Sequence, residues 1–456
     1  MLAVSIVHFP IVMPAPVRPR WDRSHRGIRT SYSKHSFSKG VRDPSTRIES
    51  ESMKRRKDHL VRAAALLSAI LFSACGSDRP DGGLPREANG RVLNTAPQWR
   101  SGEEWRVSDE PVLVIGGAQS EGADDLFGVA GAVRLSDGRI AIADRGASGI
   151  RLYSSGGSHV RTSGGKGSGP GEFRGVDGIA RIRGDTILVW DRSAGRMSVF
   201  DPAGSFTQSH QPSGLNLLPA FAGAFPDGTY AVTTGTSPAN VMAQSRTTRQ
   251  DTIVIVHVGR KGELLDTIGR FAGPEMFVDV SGGSLTVERV IFGEGSSMAV
   301  GAGRLVAGTN TRYELTAYTP DGVEAMRVAR DKPRVRATRA DVERYREFLA
   351  SRNLGSVPPE VRAGAEQRVA AIPHREMLPS FGELRVDETG HVWVAQFGLP
   401  GQPQKWDVFD PAGVWLGTVG MPGDLVVHEI GMDYVLGVAT DELGVERVVL
   451  YRLQRT

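Results

Sequence analysis

An internal repeat with a 47-residue shift is the feature that most limits what this chain can fold into. The segment DGRIAIADRGASGIRLYSSGGSHV at 137–160 matches GDTILVWDRSAGRMSVFDPAGSF at 184–206, so that Asp144-Arg145 aligns with Asp191-Arg192. Apolar residues alternate in both copies, which is typical of half-buried strands. Each copy therefore predicts short antiparallel strands around a D-R-x-x-G turn, and a repeat of this length predicts a ring or array of sheets.

The same pattern of a strand followed by a glycine turn recurs along the chain. It appears as IRLYSSGG (150–157), MSVFDPAG (197–204), IVIVHVGRKG (253–262), YELTAYTPDG (313–322) and WDVFDPAG (406–413). The last strand, RVVLYRL (447–453), has no strand after it, but VLVIGG (112–117) can supply one from the other end. We therefore predict an all-β fold over about 110–456, a six-bladed β-propeller whose ring closure removes exposed sheet edges.

A helical insertion is expected between blades four and five. Thr338 and Asp341 have the spacing of a helix-capping start, and residues 342–353 carry apolar side chains at helical intervals. A second helix is expected to open at Pro358-Pro359 and to stop before Pro373. The predicted insertion spans about 338–372. It is either a surface element packed on one blade or a lid over the central channel.

The residues around the only cysteine are typical of a targeting segment. Lys54–Lys57 are followed by the apolar run Ala63–Ala74 and then by Cys75. This run reaches ~18 Å as a helix, short of the ~30 Å hydrocarbon core of a bilayer, so residues 53–74 are predicted to be a signal peptide. A single cysteine also excludes an internal disulfide, a cysteine-based zinc site and an iron–sulfur cluster.

The stretch Leu71-Phe72-Ser73-Ala74-Cys75-Gly76 resembles a bacterial lipobox, although Phe72 stands where leucine is more usual. The resemblance implies export, lipidation of Cys75 and attachment to the membrane of the cell envelope. It also implies the outer membrane, because Gly76 rather than aspartate follows the cysteine. Residues 1–52 would then be a mis-annotated stretch upstream of a start at Met53, or a disordered extension. Residues 75–109 are predicted to be a flexible tether.

Two segments carry a resemblance to a known class of propeller. Residues 131–173 (GAVRLSDGRIAIADRGASGIRLYSSGGSHVRTSGGKGSGPGEF) are similar to an NHL-type blade. The tail IGMDYVLGVATDELGVERVVLYRL (430–453) resembles the last blade of bacterial six-bladed β-propeller lipoproteins. The resemblance covers about 110–456. It implies the fold, and it implies no particular reaction.

The charge distribution argues against a nucleic-acid partner. Residues 1–74 carry 14 Lys/Arg and 5 Asp/Glu, whereas residues 75–456 carry 41 and 46. Proteins that bind nucleic acid need a basic surface to neutralise phosphates. The excess of positive charge lies in the leader, so no nucleic-acid partner is predicted.

Motifs of common catalytic sites are missing from the sequence. SGGKGSGPGEF (163–173) fails the P-loop pattern, and there is no G-x-S-x-G, H-E-x-x-H or EF-hand loop. Four tryptophans in predicted strands are expected to pack between blades rather than to stack on a sugar, namely Trp190, Trp393, Trp406 and Trp415.

A few acids and one histidine remain as candidates for a site on the propeller axis. Asp144 and Asp191 recur at equivalent turns, which indicates that they cap those turns. Asp177 and Glu383 stand at the starts of inner strands, where side chains reach the channel mouth, and His428 can approach the same axis. These three are the candidate metal ligands, and a divalent metal is the cofactor they could hold. No other cofactor is predicted.

Two functions follow from this reading. The preferred one is a non-enzymatic, envelope-anchored binding module that recognises a protein or glycan partner through one mouth of the ring. The alternative is a metal-assisted hydrolase or lyase with its site at the axis, since propellers host both kinds of activity.

Overall fold

The computed structural model describes residues 86–88, 91–117, 122–215, 219–235, 246–281, 284–354, 359–441 and 444–455. Cys75, the predicted signal peptide and the extension 1–52 lie outside the described residues. Among the helices of the described part, none is both long and apolar enough to cross a membrane.

Short strands precede the first complete sheet. They are β1 (Arg86–Ala88), β2 (Arg91–Asn94), β3 (Arg106–Val107) and β4 (Leu113–Gly116). Blade 1 contains β5 (Val129–Arg134), β6 (Ile140–Asp144), β7 (Gly149–Tyr153) and β8 (His159–Gly164). Blade 2 contains β9 (Val176–Ile182), β10 (Thr186–Asp191), β11 (Arg196–Phe200) and β12 (Phe206–His210).

The later blades follow the same antiparallel order. Blade 3 contains β13 (Ala220–Ala224), β14 (Tyr230–Thr234), β15 (Arg246–Val258), β16 (Leu264–Ser281) and β17 (Ser284–Arg289). Blade 4 contains β18 (Ser296–Gly301), β19 (Arg304–Thr309), β20 (Glu314–Tyr318) and β21 (Glu324–Arg330). Blade 5 contains β22 (Leu384–Val386), β23 (Val392–Ala395), β24 (Gln404–Phe409) and β25 (Trp415–Met421). Blade 6 contains β26 (Val426–Ile430), β27 (Tyr434–Thr440) and β28 (Glu446–Gln454).

The six sheets form a closed ring in the described residues. The first strand of each blade contacts the first strand of the next blade, from β5 through β9, β13, β18 and β22 to β26, and β26 contacts β5. These are the inner strands, and they surround the axis. The predicted fold class, an all-β six-bladed propeller with a helical insertion, is confirmed.

The ring closes through the strand expected from the sequence. Strand β4 pairs antiparallel with β28, which places Leu113 opposite Leu450 and Ile115 opposite Val448. Blade 6 thus takes three strands from the end of the chain and its outer strand from the beginning, which leaves β28 with a partner on both edges.

The predicted tether is wrong for residues 91–107, which form an outer belt over blades 4, 5 and 6. Strand β2 pairs parallel with β21, the Trp99 amide donates to the carbonyl of Leu416 at 2.8 Å, and β3 pairs with β28. The outer edge of a blade offers unpaired backbone groups, and this segment satisfies them. Trp99 and Trp105 add apolar contacts with their ring centroids 5.2 Å apart.

The helical insertion lies between blades 4 and 5, as predicted, and contains α1 (Arg339–Leu354) and α2 (Pro359–Ala370). Thr338 Oγ1 accepts a hydrogen bond from the Asp341 amide at 3.2 Å, and the Asp341 carboxylate accepts one from the Thr338 amide at 2.8 Å. Val342, Leu349 and Val369 belong to one apolar cluster with Phe277 of blade 3 and Leu399 of the β23–β24 loop. The contacts are those of an element packed on the blades, and no described residue of α1 or α2 lines the axial cavity.

The core lies between neighbouring blades. The four strand tryptophans are buried there as predicted, Trp190 and Trp393 completely, Trp406 and Trp415 with at most 8% exposure. Small inner-strand residues permit the close packing near the axis: a Cβ on Gly223 would lie 2.6 Å from Val300 Cβ of the next blade.

Candidate functional site

A cavity of about 630 Å³ occupies the axis of the ring and is lined by all six inner strands. We call the end at which the inner strands begin the N-terminal mouth and the opposite end the C-terminal mouth. Much of the wall is glycine and alanine, because adjacent inner strands approach closely; a Cβ on Gly131 would lie 2.8 Å from Ile179 Cγ2. The charged residues of the wall therefore lie among small side chains.

In the repeated D-R-x-x-G turns, the aspartate and the arginine have different roles. The Asp144 carboxylate accepts a hydrogen bond from the Gly146 amide at 2.8 Å, and the Asp191 carboxylate accepts one from the Ala194 amide at 3.0 Å. Both aspartates are fully buried. They cap the turns, as the repetition predicted. The arginines that follow them reach the N-terminal mouth instead.

Asp177 lies between these two arginines at the N-terminal mouth. Its Oδ1 is 4.0 Å from Arg145 Nη2 and 3.9 Å from Arg192 Nη1. Both distances are those of ion pairs and are too long for hydrogen bonds. Arg145 Nη1 donates to the carbonyl of Gly128 at 3.2 Å. The Arg192 side chain has no hydrogen-bond acceptor in the described part of the chain, and its Nε is buried without one. Most donors of the two guanidinium groups are therefore free for a ligand.

Arg385 and His428 also line the axial cavity. Arg385 crosses from blade 5 to blade 6 and donates from Nε and Nη2 to the carbonyl of Val427, at 3.0 and 2.7 Å. Burial, helped by the positive charges of Arg385 and Arg145, lowers the pKa of His428 to about 3. His428 is therefore a neutral imidazole at physiological pH.

A second charged cluster, at the C-terminal mouth, was not found from the sequence. Glu429 accepts a hydrogen bond from the Arg134 amide at 2.7 Å and lies 3.9 Å from Arg181. Burial raises the pKa of the Glu429 carboxyl, and burial together with the neighbouring Glu429 raises the pKa of Tyr434. A register shift in β26 lets both His428 and Glu429 line the same cavity. Both residues could be expected near an inner strand from the sequence, but alternation along a regular strand would have directed one of them away from the cavity.

The structure does not bring the three predicted metal ligands together. Asp177 and His428 line the axial cavity, but Glu383 lines a separate cavity of about 300 Å³ beside the β23–β24 loop. The Glu383 carboxylate pairs with Arg385 at 3.0 Å, and burial raises its pKa. Each predicted acid thus faces arginine rather than another ligand. Across the described residues, no three His, Cys, Asp or Glu side chains form a group that could hold a metal ion.

No protein-family model and no curated protein sequence matches this chain. Solved structures that are similar in fold include a candidate exported protein of Bacteroides fragilis, which is 12% identical with a TM-score of 0.42 over 80% of this chain and 99% of that one. Virginiamycin B lyase of Staphylococcus aureus is 8% identical, with a TM-score of 0.38 over 77% and 99% of the two chains. A gluconolactonase of Xanthomonas campestris is 13% identical, with a TM-score of 0.33 over 76% and 88%. At these identities the likeness concerns the fold alone.

Proposed function

We propose that this protein is an exported, lipid-anchored β-propeller of the cell envelope that acts as a non-enzymatic binding module. Its partner, a protein or a glycan, would be recognised at the N-terminal mouth. The observation that carries this proposal is the pair Arg145 and Arg192, whose guanidinium donors face the mouth and are mostly unused. Donors placed in this way bind a ligand without any need for a reacting group beside them.

The charges around the mouth fit binding better than the metal-assisted hydrolase or lyase that the sequence also suggested. A metal site of that kind requires carboxylates and imidazoles that converge on one point with free lone pairs. Asp177 instead faces two arginines, and Glu383 faces a third. The guanidinium groups would repel a cation from both carboxylates.

The proposal is tested with the purified propeller on arrays of glycans and peptides. Wild-type protein is compared with the double variant Arg145→Gln/Arg192→Gln, whose melting temperature establishes that it is folded. Retention of a defined glycan or peptide by the wild type, with loss in the double variant, supports a binding module at this mouth. Stoichiometric metal in the wild type, lost on Asp177→Ala, would overturn the proposal in favour of the metal enzyme.

A further inference from the structure

Arginine follows the second strand in two of the six blades. The residue that follows the second strand of each blade is Arg145 in blade 1 and Arg192 in blade 2. In the other four blades it is, in order, Gly235, Asn310, Gln396 and Asp441. Turn geometry alone does not require arginine, because the aspartate before it makes the capping bonds. Arg145 and Arg192 thus lie in neighbouring blades, on one side of the N-terminal mouth.

Among the described residues, neither Arg145 nor Arg192 has a carboxylate within hydrogen-bonding distance, although Asp177, Asp191 and Glu446 lie on the same side of the mouth. Arg145 and Arg192 face the single carboxylate of Asp177. Arg174, just before β9, is exposed, and its backbone amide donates to Asp191 at 2.7 Å. Two guanidinium groups with free donors match the planar, two-oxygen geometry of a carboxylate.

An exposed aromatic side chain, Phe127, lies beside the turn that carries Arg145. The Phe127 side chain is 76% exposed, and it is the most exposed large apolar side chain of the described residues. Its carbonyl accepts a hydrogen bond from the Gly146 amide at 2.9 Å, which fixes residue 127 beside the turn that carries Arg145. The mouth therefore combines an apolar surface with a carboxylate-binding pair of arginines.

We propose that the N-terminal mouth binds an acidic sugar, free or within a glycan, through its carboxylate; this deepens the binding function proposed above and rests on it. Arg145 and Arg192 hold the carboxylate, and Phe127 contacts the C–H face of the sugar ring. A hexuronate offers both features on one rigid ring, whereas an acidic peptide side chain offers a carboxylate on flexible methylenes without an apolar face.

Removal of the Asp177 charge is expected to change the affinity in opposite directions for an acidic sugar and for a metal ion. Its carboxylate competes with the ligand for the two arginines, so Asp177→Asn should tighten the binding of an acidic sugar. A cation site built on Asp177 would lose its ligand on the same substitution. The Asp177→Asn variant therefore distinguishes an acidic-sugar site from a cation site.

The experiment is calorimetric titration of the purified protein with trigalacturonate, with the neutral trisaccharide of galactose and with a tri-glutamate peptide. Arg192→Gln is expected to weaken trigalacturonate binding at least tenfold, Phe127→Ala several-fold, and Asp177→Asn to tighten it several-fold. Arg161→Gln removes the same charge from an exposed position in β8, where Nη1 donates to Ser205 at 3.0 Å, and should leave the affinity unchanged. Melting temperatures establish that each variant is folded.

The outcomes separate this inference from the broader proposal. Suppose that a glycan or peptide found on the arrays binds at the mouth, but trigalacturonate does not bind the wild type or binds equally to Arg192→Gln. The proposal of an acidic sugar would then be wrong, and the proposal of a binding module would be kept. Equal or tighter binding of tri-glutamate would replace the sugar with an acidic peptide. Weaker binding of trigalacturonate to Asp177→Asn would overturn the proposed competition and the arrangement derived from it.

Discussion

Leu113 and Leu450 lie opposite each other in one antiparallel strand pair, although they come from opposite ends of the propeller sequence. Because this pair completes blade 6, the last blade cannot form until the first residues of the domain have returned to it. Contacts so distant in sequence are costly to form, since a long loop must close before they stabilise anything. The stability of the ring should therefore depend strongly on strand β4.

We expect Ile115→Ala to lower the free energy of unfolding by about 2–5 kcal/mol, because a buried isoleucine leaves a cavity when it is truncated. Ile115 is 2% exposed and packs in the cluster between blades 6 and 1. Its neighbour Val114, which is 44% exposed on the same strand, provides the matched control. Val114→Ala should change stability by no more than about 0.5 kcal/mol. Urea unfolding followed by circular dichroism measures both, and equal effects would contradict the closure.

The outer belt is expected to be part of the folded domain. Trp105 is 9% exposed, its ring lies 5.8 Å from that of Trp393, and the Arg455 guanidinium lies 4.4 Å above it. Trp105→Ala should therefore cost about 3–5 kcal/mol, the usual range for a buried tryptophan.

Truncation provides the control for the belt. A chain that begins at residue 91 keeps the belt and should unfold close to the wild-type midpoint, whereas one that begins at residue 110 should be strongly destabilised. Equal stability of the two truncated chains would show that residues 91–109 are only a tether.

The fold could be predicted from the sequence because the repeat consists of local residue patterns. Alternation along each strand and the aspartate in each D-R-x-x-G turn are set by short-range physics, so the capping role of Asp144 and Asp191 follows from the sequence alone. The belt could not be found in this way. Residues 91–107 have little strand pattern of their own, and they are ordered by the free edges of blades that lie far away in sequence.

The site was predictable only in part, for a related reason. Asp177 and His428 could be placed near the axis from their positions on inner strands, and both line the cavity. The charge partners of Asp177 are Arg145 from blade 1 and Arg192 from the β10–β11 turn of blade 2, and neither stands beside Asp177 in the sequence. Glu383 shows the limit of such placement, because it precedes β22 and its carboxylate lines a different cavity.

His428 is expected to make the protein less stable in mild acid. The pKa of this imidazole is about 3 in the folded protein and near its ordinary value of 6.5 in the unfolded chain. Between these values the unfolded chain binds a proton that the folded protein does not, so stability falls as pH falls from 6.5 towards 3. His428→Gln should therefore lose less stability than wild type between pH 7 and pH 4.5.

Urea midpoints at the two pH values measure the effect of His428. The exposed His159, whose Nε2 lies 2.9 Å from Thr162 Oγ1, supplies the control. Both variants are compared with the wild type at the two pH values. A His428→Gln variant with the same pH dependence as the wild type would contradict the assignment of this loss to His428.

The lipid anchor is predicted at Cys75. Cys75→Ser should move the protein from the membrane fraction to the soluble fraction, because two or three acyl chains at ~0.8 kcal/mol per buried CH₂ hold a protein on a bilayer. Ten residues, 76–85, separate Cys75 from β1, and even fully extended they span at most ~35 Å. The anchored propeller would therefore stay close to the membrane surface.

Ser77→Ala, which leaves the lipobox intact, should remain membrane-bound, and Gly76→Asp should shift the protein to the inner membrane. Mass spectrometry of the mature N-terminus provides the direct measurement: a wild type without acyl mass, together with a membrane-bound Cys75→Ser variant, would refute the anchor.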